Sequence, residues 1–367
     1  MKRSRTYALA GIAAASSLLL SACSDDNSGG SGTDASGSKE ATKIDCGNGD
    51  LNASGSSAQA KAIDAWQSTF ASTCADIAVN YDPSGSGAGI KDFIAEKVDM
   101  AGSDSALKDD EATQADARCK TGKAINIPMV ISPIAVVFNV SGVKDLTLNA
   151  EVIAKIFAGQ ITKWDDEAIK ALNKDAKLPS TSITTVHRSK DSGTTDNFTK
   201  YLEAAGNGAW TFGTGKAWTA PGGQGAPDSA GIVSAVKATD GAISYVDGPD
   251  AKANSLATAK LDSGDGGVAI SDESVGKAVA AAERSGEGND IKLKINYGLK
   301  EKGAYPAVLV TYEITCEKGL APEKVKTVKS FLTYAATDGQ DALSDLGYSK
   351  LPDELAADVK KAVEAIS

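Results

Sequence analysis

Apolar residues recur along this chain with two alternating periods, one typical of helices and one typical of strands. The segment 58–70 has helical spacing, 77–81 alternates like a half-buried strand, and 90–98 is again helical. Segments 323–334 and 355–366 repeat the helical pattern near the end of the chain. This alternation of strands and helices predicts an α/β protein with largely parallel sheets.

Two long apolar segments do not fit an ordinary strand and helix unit. Segment 125–140 is too long for one ordinary strand, and it contains Pro128 and Pro133, which a central strand would not tolerate. We therefore interpret it as a crossing between two lobes, and we expect the β-rich segment 305–316 to carry the chain back. Two crossings beside a cleft form a hinge, which suits ligand capture.

The first residues have the pattern of an export signal. A basic stretch, 1–5, precedes an apolar run, 7–20, that is shorter than the about 20 residues of a spanning helix, so residues 1–22 are predicted to be a cleaved signal peptide. The sequence Leu-Ser-Ala-Cys ending at Cys23 resembles the lipobox of bacterial lipoproteins, in which the cysteine is lipidated. The alternative is a secreted protein without an anchor, with Ala22 as the last signal residue.

The remainder of the chain is predicted to form a tether and two lobes. Residues 23–44 are rich in Ser, Gly and Asp without apolar periodicity, as in a flexible linker. The roughly 320 residues that follow exceed the usual size of one compact domain. We place lobe 1 at 45–132 plus 304–367 and lobe 2 at 133–303.

The charge of the chain excludes one large class of partner. Its formal net charge is -10, with acidic residues spread along its length, so a basic stripe for nucleic acid is not expected. An acidic protein that binds an anion must use local dipoles and one or two placed cations.

The cysteines suggest disulfides. Apart from Cys23 there are four: Cys46, Cys74, Cys119 and Cys316. In an exported protein an even number suggests two bridges, although four cysteines allow three connectivities. We favour Cys46 with Cys74, which are close in sequence, and therefore Cys119 with Cys316. Zinc is a poor alternative because there is no C-x-x-C pair and the single histidine, His187, is distant.

Four short loops carry the candidate chemistry. Each is rich in Ser, Thr and Gly: 53–58, 84–89, 101–105 and 188–195. At least three follow a strand pattern and precede a helix pattern, so unpaired backbone N–H groups at the helix start would favour an anion. One such loop alone is often just a helix cap. Loops of this kind converge at the carboxyl ends of strands in α/β folds.

Two enzymatic or nucleotide-binding alternatives fit less well. The glycines run Gly85-x-Gly87-x-Gly89 rather than G-x-G-x-x-G, and no P-loop motif occurs. A serine hydrolase would need a histidine near its nucleophile. His187 precedes Arg188 in a strand pattern, so the two side chains point to opposite faces, and no G-x-S-x-G elbow is present.

Together, these motifs resemble the phosphate-binding subunit of phosphate-specific ABC importers, especially its lipoprotein forms, from about residue 49 to the C-terminus. The motifs are Ala-Ser-Gly-Ser-Ser-Ala-Gln at 53–59, Asn-Tyr at 80–81 leading to 85–89, Ala-Gly-Ser-Asp at 101–104, Lys-Trp-Asp-Asp at 163–166, and His-Arg at 187–188 with 192–195. The resemblance implies a two-lobed periplasmic-binding-protein fold, type II-like, with two hinge crossings and a ligand cleft between the lobes.

The resemblance also implies a set of ligand contacts. Phosphate would be bound by Ser56, Ser57, the backbone N–H of Ala58, Ser86, Arg188, Ser192, Gly193 and Thr194. Asp104 would accept the proton that phosphate retains at neutral pH; sulfate has no such proton and would meet an unpaired like charge. The alternatives are a helix cap for Asp104 and a surface ion pair for Arg188.

One position departs from the family pattern. The family usually has an acidic residue two positions after the binding arginine, often paired with it, whereas this chain has Lys190 followed by Asp191. Either Asp191 takes over that pairing or Arg188 is held less firmly.

The sequence thus leads us to expect a receptor that binds inorganic phosphate, without cofactor, metal or enzymatic activity. It would be lipid-anchored on the outer face of the cell membrane, with no other membrane contact, and would deliver phosphate to ABC permease subunits and their ATPase. The alternatives are a receptor for another tetrahedral oxyanion or a phosphate monoester, or a phosphoester hydrolase on the same fold.

Overall fold

The computed structural model describes residues 42–367; the predicted signal peptide, Cys23 and most of the predicted tether lie outside the described residues. The strands are β1 Gly49–Gly55, β2 Ile77–Asp82, β3 Met100–Ser103, β4 Ala124–Asn139, β5 Thr147–Asn149, β6 Thr184–Arg188, β7 Gln224–Ala226, β8 Ala242–Asp247, β9 Ala257–Thr258, β10 Lys260–Asp262, β11 Gly267–Val268, β12 Glu283–Arg284, β13 Leu293–Lys294 and β14 Val308–Cys316. The helices are α1 Ala60–Thr73, α2 Ser86–Ile94, α3 Asp109–Cys119, α4 Ala150–Phe157, α5 Glu167–Leu172, α6 Gly193–Ala205, α7 Ser229–Ala238, α8 Gly248–Ala253, α9 Asp272–Ala280, α10 Pro322–Ala335, α11 Leu343–Leu346 and α12 Asp353–Glu364, with a 3-10 helix at Asp338–Ala342. Within this range, no helix combines the length and apolar character needed to cross a membrane.

The main sheet is parallel at its ends and antiparallel in its centre. Its strand order is β2-β1-β3-β14-β4-β8-β6-β7, and β9 also pairs with β4. At one end β1 lies parallel to β2 and β3, and at the other end β6 lies parallel to β7 and β8. Between them, β14 and β4 run antiparallel to each other and to their outer neighbours. The expected parallel arrangement therefore holds for the strand and helix units, and the two long strands interrupt it.

Strand β4 corrects one expectation. Segment 125–140 was not expected to form one strand, yet Ala124–Asn139 is continuous and buried along nearly all its length. Proline is tolerated where a ladder hydrogen bond is already missing. Pro128 pairs with Tyr312 of β14 and lies beside a bulge in β4, where Met129 has no partner on β14. Pro133 lies at the end of the β14 pairing, just before β8 becomes the partner on the other edge.

Apolar packing forms distinct cores along this sheet. The first core contains residues of β1, β2, β3 and the first half of β4, together with residues of α1, α10 and α12. In the second half of β4, side chains alternate between two further clusters: Val136 and Phe138 enter one, and Ala135 and Val137 enter the other. Strand β14 contributes to the first core and, through Leu309, to the second.

The predicted lobe boundaries do not coincide everywhere with these cores. Val275 and Val279 of α9 pack in the first core, whereas the boundaries place residues 133–303 in lobe 2. The boundaries remain a prediction.

Two disulfides lie in the first core. Cys46 bonds Cys74, closing 28 residues, and Cys119 bonds Cys316, closing 197 residues, with Cα–Cα distances of 5.5 Å in both. This is the pairing that the sequence analysis favoured. The longer loop ties the end of α3 to the end of β14, so it links the N-terminal and C-terminal parts of the first core.

The two bridges should differ in their contribution to stability. Loop-closure entropy predicts roughly 3.6 kcal/mol for 28 residues and roughly 5.3 kcal/mol for 197 residues. Replacing Cys119 and Cys316 by serine should therefore lower the free energy of unfolding more than replacing Cys46 and Cys74, as measured by urea denaturation of the oxidised proteins. Equal losses would show that native-state contacts, rather than chain entropy, set the contribution.

Candidate anion-binding site

The four Ser- and Gly-rich loops follow β1, β2, β3 and β6 and meet at one place. Backbone hydrogen bonds join them: Gly85 N to Gly55 O at 2.6 Å, Ser56 N to Gly102 O at 2.8 Å, and Gly87 N to Asp191 O at 3.3 Å. Strands β1, β2 and β3 are parallel, so their carboxyl ends and the loops that follow lie at one edge of the sheet. Strand β6 belongs to the other parallel group and runs in the opposite direction, so the loop after β6 meets the first three loops from the other half of the sheet.

Asp104 is the centre of this cluster. It follows β3, and only 2% of its surface is exposed. Its Oδ1 accepts hydrogen bonds from Ser56 Oγ and from Thr311 Oγ1, the latter at 2.9 Å. Its Oδ2 accepts from Thr194 Oγ1 at 3.3 Å and from Ser86 Oγ at 3.4 Å. Four separate chain segments thus each place one hydroxyl on this carboxyl group.

The electrostatic environment of Asp104 contains opposing influences. Burial raises the pKa of the carboxyl, while the hydroxyl donors, Ser56 first, and the nearby charge of Arg188 oppose that rise. Helix α3 begins five residues later and has Lys108 at its N-cap position. The side chain therefore faces hydroxyls rather than capping the following helix, which argues against the capping alternative.

Arg188 ends β6 and is also buried, with 3% of its surface exposed. Its Nη2 donates to Pro227 O at 3.2 Å, while its Nε is buried and has no hydrogen-bond partner among residues 42–367. Burial lowers the pKa of the guanidinium, and Tyr245 and Asp104 oppose that change. A guanidinium has five N–H donors, so this one retains donors directed into the protein interior. Its burial argues against a surface ion pair.

The residues after Arg188 settle how the departure from the family pattern is accommodated. Asp191 pairs with Lys91, at 3.1 Å, in a largely exposed ion pair. Arg188 is held by the Pro227 carbonyl, and none of the ion pairs found in the described part of the chain includes it. Asp191 has therefore not taken over the pairing.

The start of α6 closes against Asp104. Ser192 caps the helix by accepting from Thr195 N, and Gly193 N donates to Ser86 Oγ at 3.1 Å. A Cβ atom at position 193 would lie 2.6 Å from the Cβ of Asp104. Glycine is therefore required for the helix start to approach this closely, and the approach brings Thr194 within reach of the carboxyl group.

The loop after β1 contributes three further predicted residues. Ser56 Oγ accepts from Ala58 N at 3.0 Å and donates to Asp104. Ser57 Oγ lies 3.0 Å from Ser229 Oγ at the start of α7 and accepts from Ser229 N. All nine predicted contact residues are buried. The structure places Ser56, Ser86, Gly193 and Thr194 against Asp104, whereas Ser57 contacts Ser229.

The structure adds contacts that the sequence analysis missed. Thr311 and Ser229 are two of them. Others join the segment 104–111 to α6 and its neighbourhood: Asn197 Nδ2 to Asp104 O at 2.6 Å, Ser105 Oγ to Asp196 Oδ2 at 2.6 Å, and Lys216 Nζ to Glu111 Oε1 at 2.8 Å. These polar residues have no local motif that distinguishes them from surface residues, so no sequence signal could have found them.

His187 lies apart from the cluster. Its ring stacks on Trp218 with centroids 4.9 Å apart, whereas the next side chain, Arg188, enters the site. The opposite orientations follow from the strand geometry, as expected. In the described residues no group of three or more His, Cys, Asp or Glu side chains is arranged to hold a metal ion.

Comparison with known proteins places the chain in a family. Residues 32–339 match the model of the PBP superfamily domain. The phosphate-binding protein PstS 3 of Mycobacterium tuberculosis is 44% identical over 373 residues, covering 100% of both chains. The chain belongs to the PstS family of phosphate-binding proteins. Another PstS protein of that organism, PstS 2, is 37% identical over 378 residues, again with 100% coverage of both.

Solved structures agree with the fold expected of a PstS protein. The high-affinity periplasmic phosphate-binding protein PfluDING, solved with bound phosphate, superposes with a TM-score of 0.72 at 24% identity, covering 85% of this chain and 93% of that one. A human phosphate-binding apolipoprotein gives a TM-score of 0.69 at 20% identity with the same coverage. At these identities the likeness concerns the fold, and it confirms the predicted periplasmic-binding-protein architecture.

Proposed function

We propose that this chain is an extracytoplasmic receptor that binds inorganic phosphate and delivers it to the permease and ATPase of an ABC importer. Full-length identity of 44% to a protein named as phosphate-binding supports this assignment. The protein acts by binding and release, as a receptor rather than an enzyme. Lipid attached to Cys23 holds it at the outer face of the membrane.

One observation carries the phosphate assignment: the buried Arg188 guanidinium, whose Nε has no hydrogen-bond partner in the described part of the chain, lies near the buried Asp104 carboxyl group. Arg188 supplies the cation that an acidic protein needs for an anion, and a guanidinium can engage two phosphate oxygens in a fork. Asp104 accepts the proton that phosphate retains. A fully ionised anion has no proton to offer, so the same carboxylate repels it.

The proposed phosphate contacts are those of the converging loops. They are Ser56, Ser57, the Ala58 N–H, Ser86, Asp104, Arg188, Ser192, Gly193 and Thr194. Thr311 acts through Asp104 by holding its Oδ1. The contacts come from both proposed lobes, 45–132 plus 304–367 and 133–303, so closing the lobes on phosphate completes the site.

The alternatives fit these observations less well. A phosphate monoester would bring an ester group into a site whose predicted contact residues are all buried. A phosphoester hydrolase would require a base beside the anion, and His187 is stacked on Trp218 instead. Free phosphate is therefore the favoured ligand.

The lipid anchor depends on Cys23. Replacing it by alanine should remove the acylation site. Without the acyl chains that give stable membrane attachment, the protein should be released into the medium. Fractionation of expressing cells, with mass spectrometry of the mature N-terminus, measures this. A variant retained on the membrane to the same extent as the parent would exclude Cys23 as the anchor.

Replacing Arg188 tests the proposed site. In calorimetric titrations of protein stripped of ligand, the parent should bind phosphate, and Arg188→Ala should lose roughly 2 to 4 kcal/mol of binding free energy, as for truncation of a buried charged partner. Arg188→Lys should recover part of the loss. Lys190→Ala, at an exposed position two residues away, is the matched control and should bind as the parent does. If Arg188→Ala bound phosphate as the parent does and Lys190→Ala did not, Lys190 would be the residue that supplies the positive charge for phosphate.

Replacing Asp104 tests selectivity. Asp104→Asn keeps the shape and a carbonyl acceptor but removes the negative charge, so sulfate binding should rise while phosphate binding changes less. The preference for phosphate over sulfate should shrink by one or more powers of ten, each about 1.4 kcal/mol. Competition titrations with the two anions measure this. Unchanged discrimination and unchanged phosphate affinity would mean that ligand choice lies elsewhere.

A further inference from the structure

A second carboxyl group, Glu313, is buried behind the anion-binding site and has no assigned role. It lies on β14, opposite Gly102 of β3 and Ile127 of β4, and none of its surface is exposed. Neither of its carboxyl oxygens has a hydrogen-bond partner among residues 42–367, and it takes part in none of the ion pairs there. A buried carboxylate in this state would be a charge without compensation.

The side-chain amide of Gln59 neighbours Glu313, and its oxygen also lacks a hydrogen-bond partner in the described part of the chain. This atom, Oε1, is buried. The amide lies over Gly102, where a Cβ atom would be 1.9 Å from Gln59 Nε2, so glycine at this position makes room for it. A neutral carboxyl group carries an O–H that can donate to an amide oxygen. One proton on Glu313 would therefore remove the buried charge and give Gln59 Oε1 a hydrogen-bond donor.

Gln59 connects this buried pair to the site. Its Nε2 donates to the Tyr81 hydroxyl at 3.0 Å, and Tyr81 in turn donates to Ser56 O at 2.7 Å. Ser56 is one of the residues whose hydroxyl contacts Asp104. The protonation of Glu313 can thus influence the site in two ways, through this hydrogen-bonded chain and through the charge it places near Asp104.

Building on the proposed function, we propose that Glu313 is a positioning residue that must hold a proton for tight phosphate binding. In its neutral form it orients Gln59, Tyr81 and the loop that carries Ser56. In its ionised form it withdraws that support and adds a negative charge behind the bound anion.

The electrostatic surroundings of Glu313 agree with this role. Burial raises the pKa of its carboxyl to about 7; the Gln59 amide opposes the rise and the charge of Asp104 adds to it. The titratable groups that act on it are Asp104, after β3, and Tyr81 on β2, whose own pKa is raised well above its usual value by burial and by Glu313. The residues paired with Glu313 on the adjacent strands, Gly102 on β3 and Ile127 on β4, are uncharged. A bound anion would favour the neutral form further, so phosphate binding should be accompanied by proton uptake above neutral pH.

The test compares the pH dependence of phosphate affinity in the parent and in Glu313→Gln. Glutamine is neutral at every pH, and phosphate ionisation and Asp104 titration are common to both proteins, so the ratio of their dissociation constants isolates Glu313. Below pH 7 the two should bind comparably. Above it, the parent should weaken relative to Glu313→Gln by up to about tenfold per pH unit. A ratio that does not vary with pH would overturn the inference.

Two further measurements separate positioning from folding and from the function itself. Tyr81→Phe breaks the hydrogen-bonded chain but keeps Glu313, so it should weaken phosphate binding while retaining the parent's pH dependence; unchanged affinity would exclude the chain as a positioning device. If Glu313→Gln does not fold, infrared difference spectra of the parent, with and without phosphate above pH 7 and with 13C-labelled glutamate, give the answer directly. A labelled neutral-carboxyl band should grow on binding, and its absence would refute proton uptake by Glu313. A parent that binds no phosphate at any pH would instead refute the proposed function.

Discussion

The site depends on the burial of one carboxyl group, Asp104, away from water. Removing a carboxylate from water is costly unless hydrogen bonds replace its hydration. Here the replacement comes from Ser56, Ser86, Thr194 and Thr311, which belong to four segments of the chain. No single segment could supply these donors. The convergence of the loops and the stability of the buried carboxyl group therefore depend on each other.

In the proposed site, Arg188 and Asp104 act on a bound anion in opposite directions. The overall charge of -10 opposes anion binding, so the attraction has to be local. In our proposal the buried guanidinium of Arg188 provides this attraction, and its Nε has no hydrogen-bond partner among residues 42–367. In the same proposal, the Asp104 carboxylate disfavours anions that carry no proton. This combination of attraction and repulsion is how a small pocket can distinguish ions of nearly equal size.

The orientation of side chains along a helix or strand could be predicted from the sequence, whereas the contacts between residues distant in the chain could not. The helical face of α1 and the opposite orientations of His187 and Arg188 follow from helix and strand periodicity. The replacement of the usual acidic residue by Lys190 could be seen, but its consequence could not. Asp191 forms an ion pair with Lys91 on α2, about a hundred positions away in the chain. Arg188 donates a hydrogen bond to the Pro227 carbonyl instead of pairing with Asp191.

The sequence by itself determined the α/β class, the loops that carry the proposed anion-binding residues and the family to which they point, because these depend on periodicity and on short motifs. Only the tertiary structure decided that Pro128 and Pro133 lie within one continuous strand, since a proline is acceptable where the neighbouring strand makes no hydrogen bond. It also decided that Thr311 contacts Asp104 across 207 positions and that Glu313 lies buried beside Gln59. Such contacts are set by strand order and register, which bring distant residues together without leaving a local pattern in the sequence.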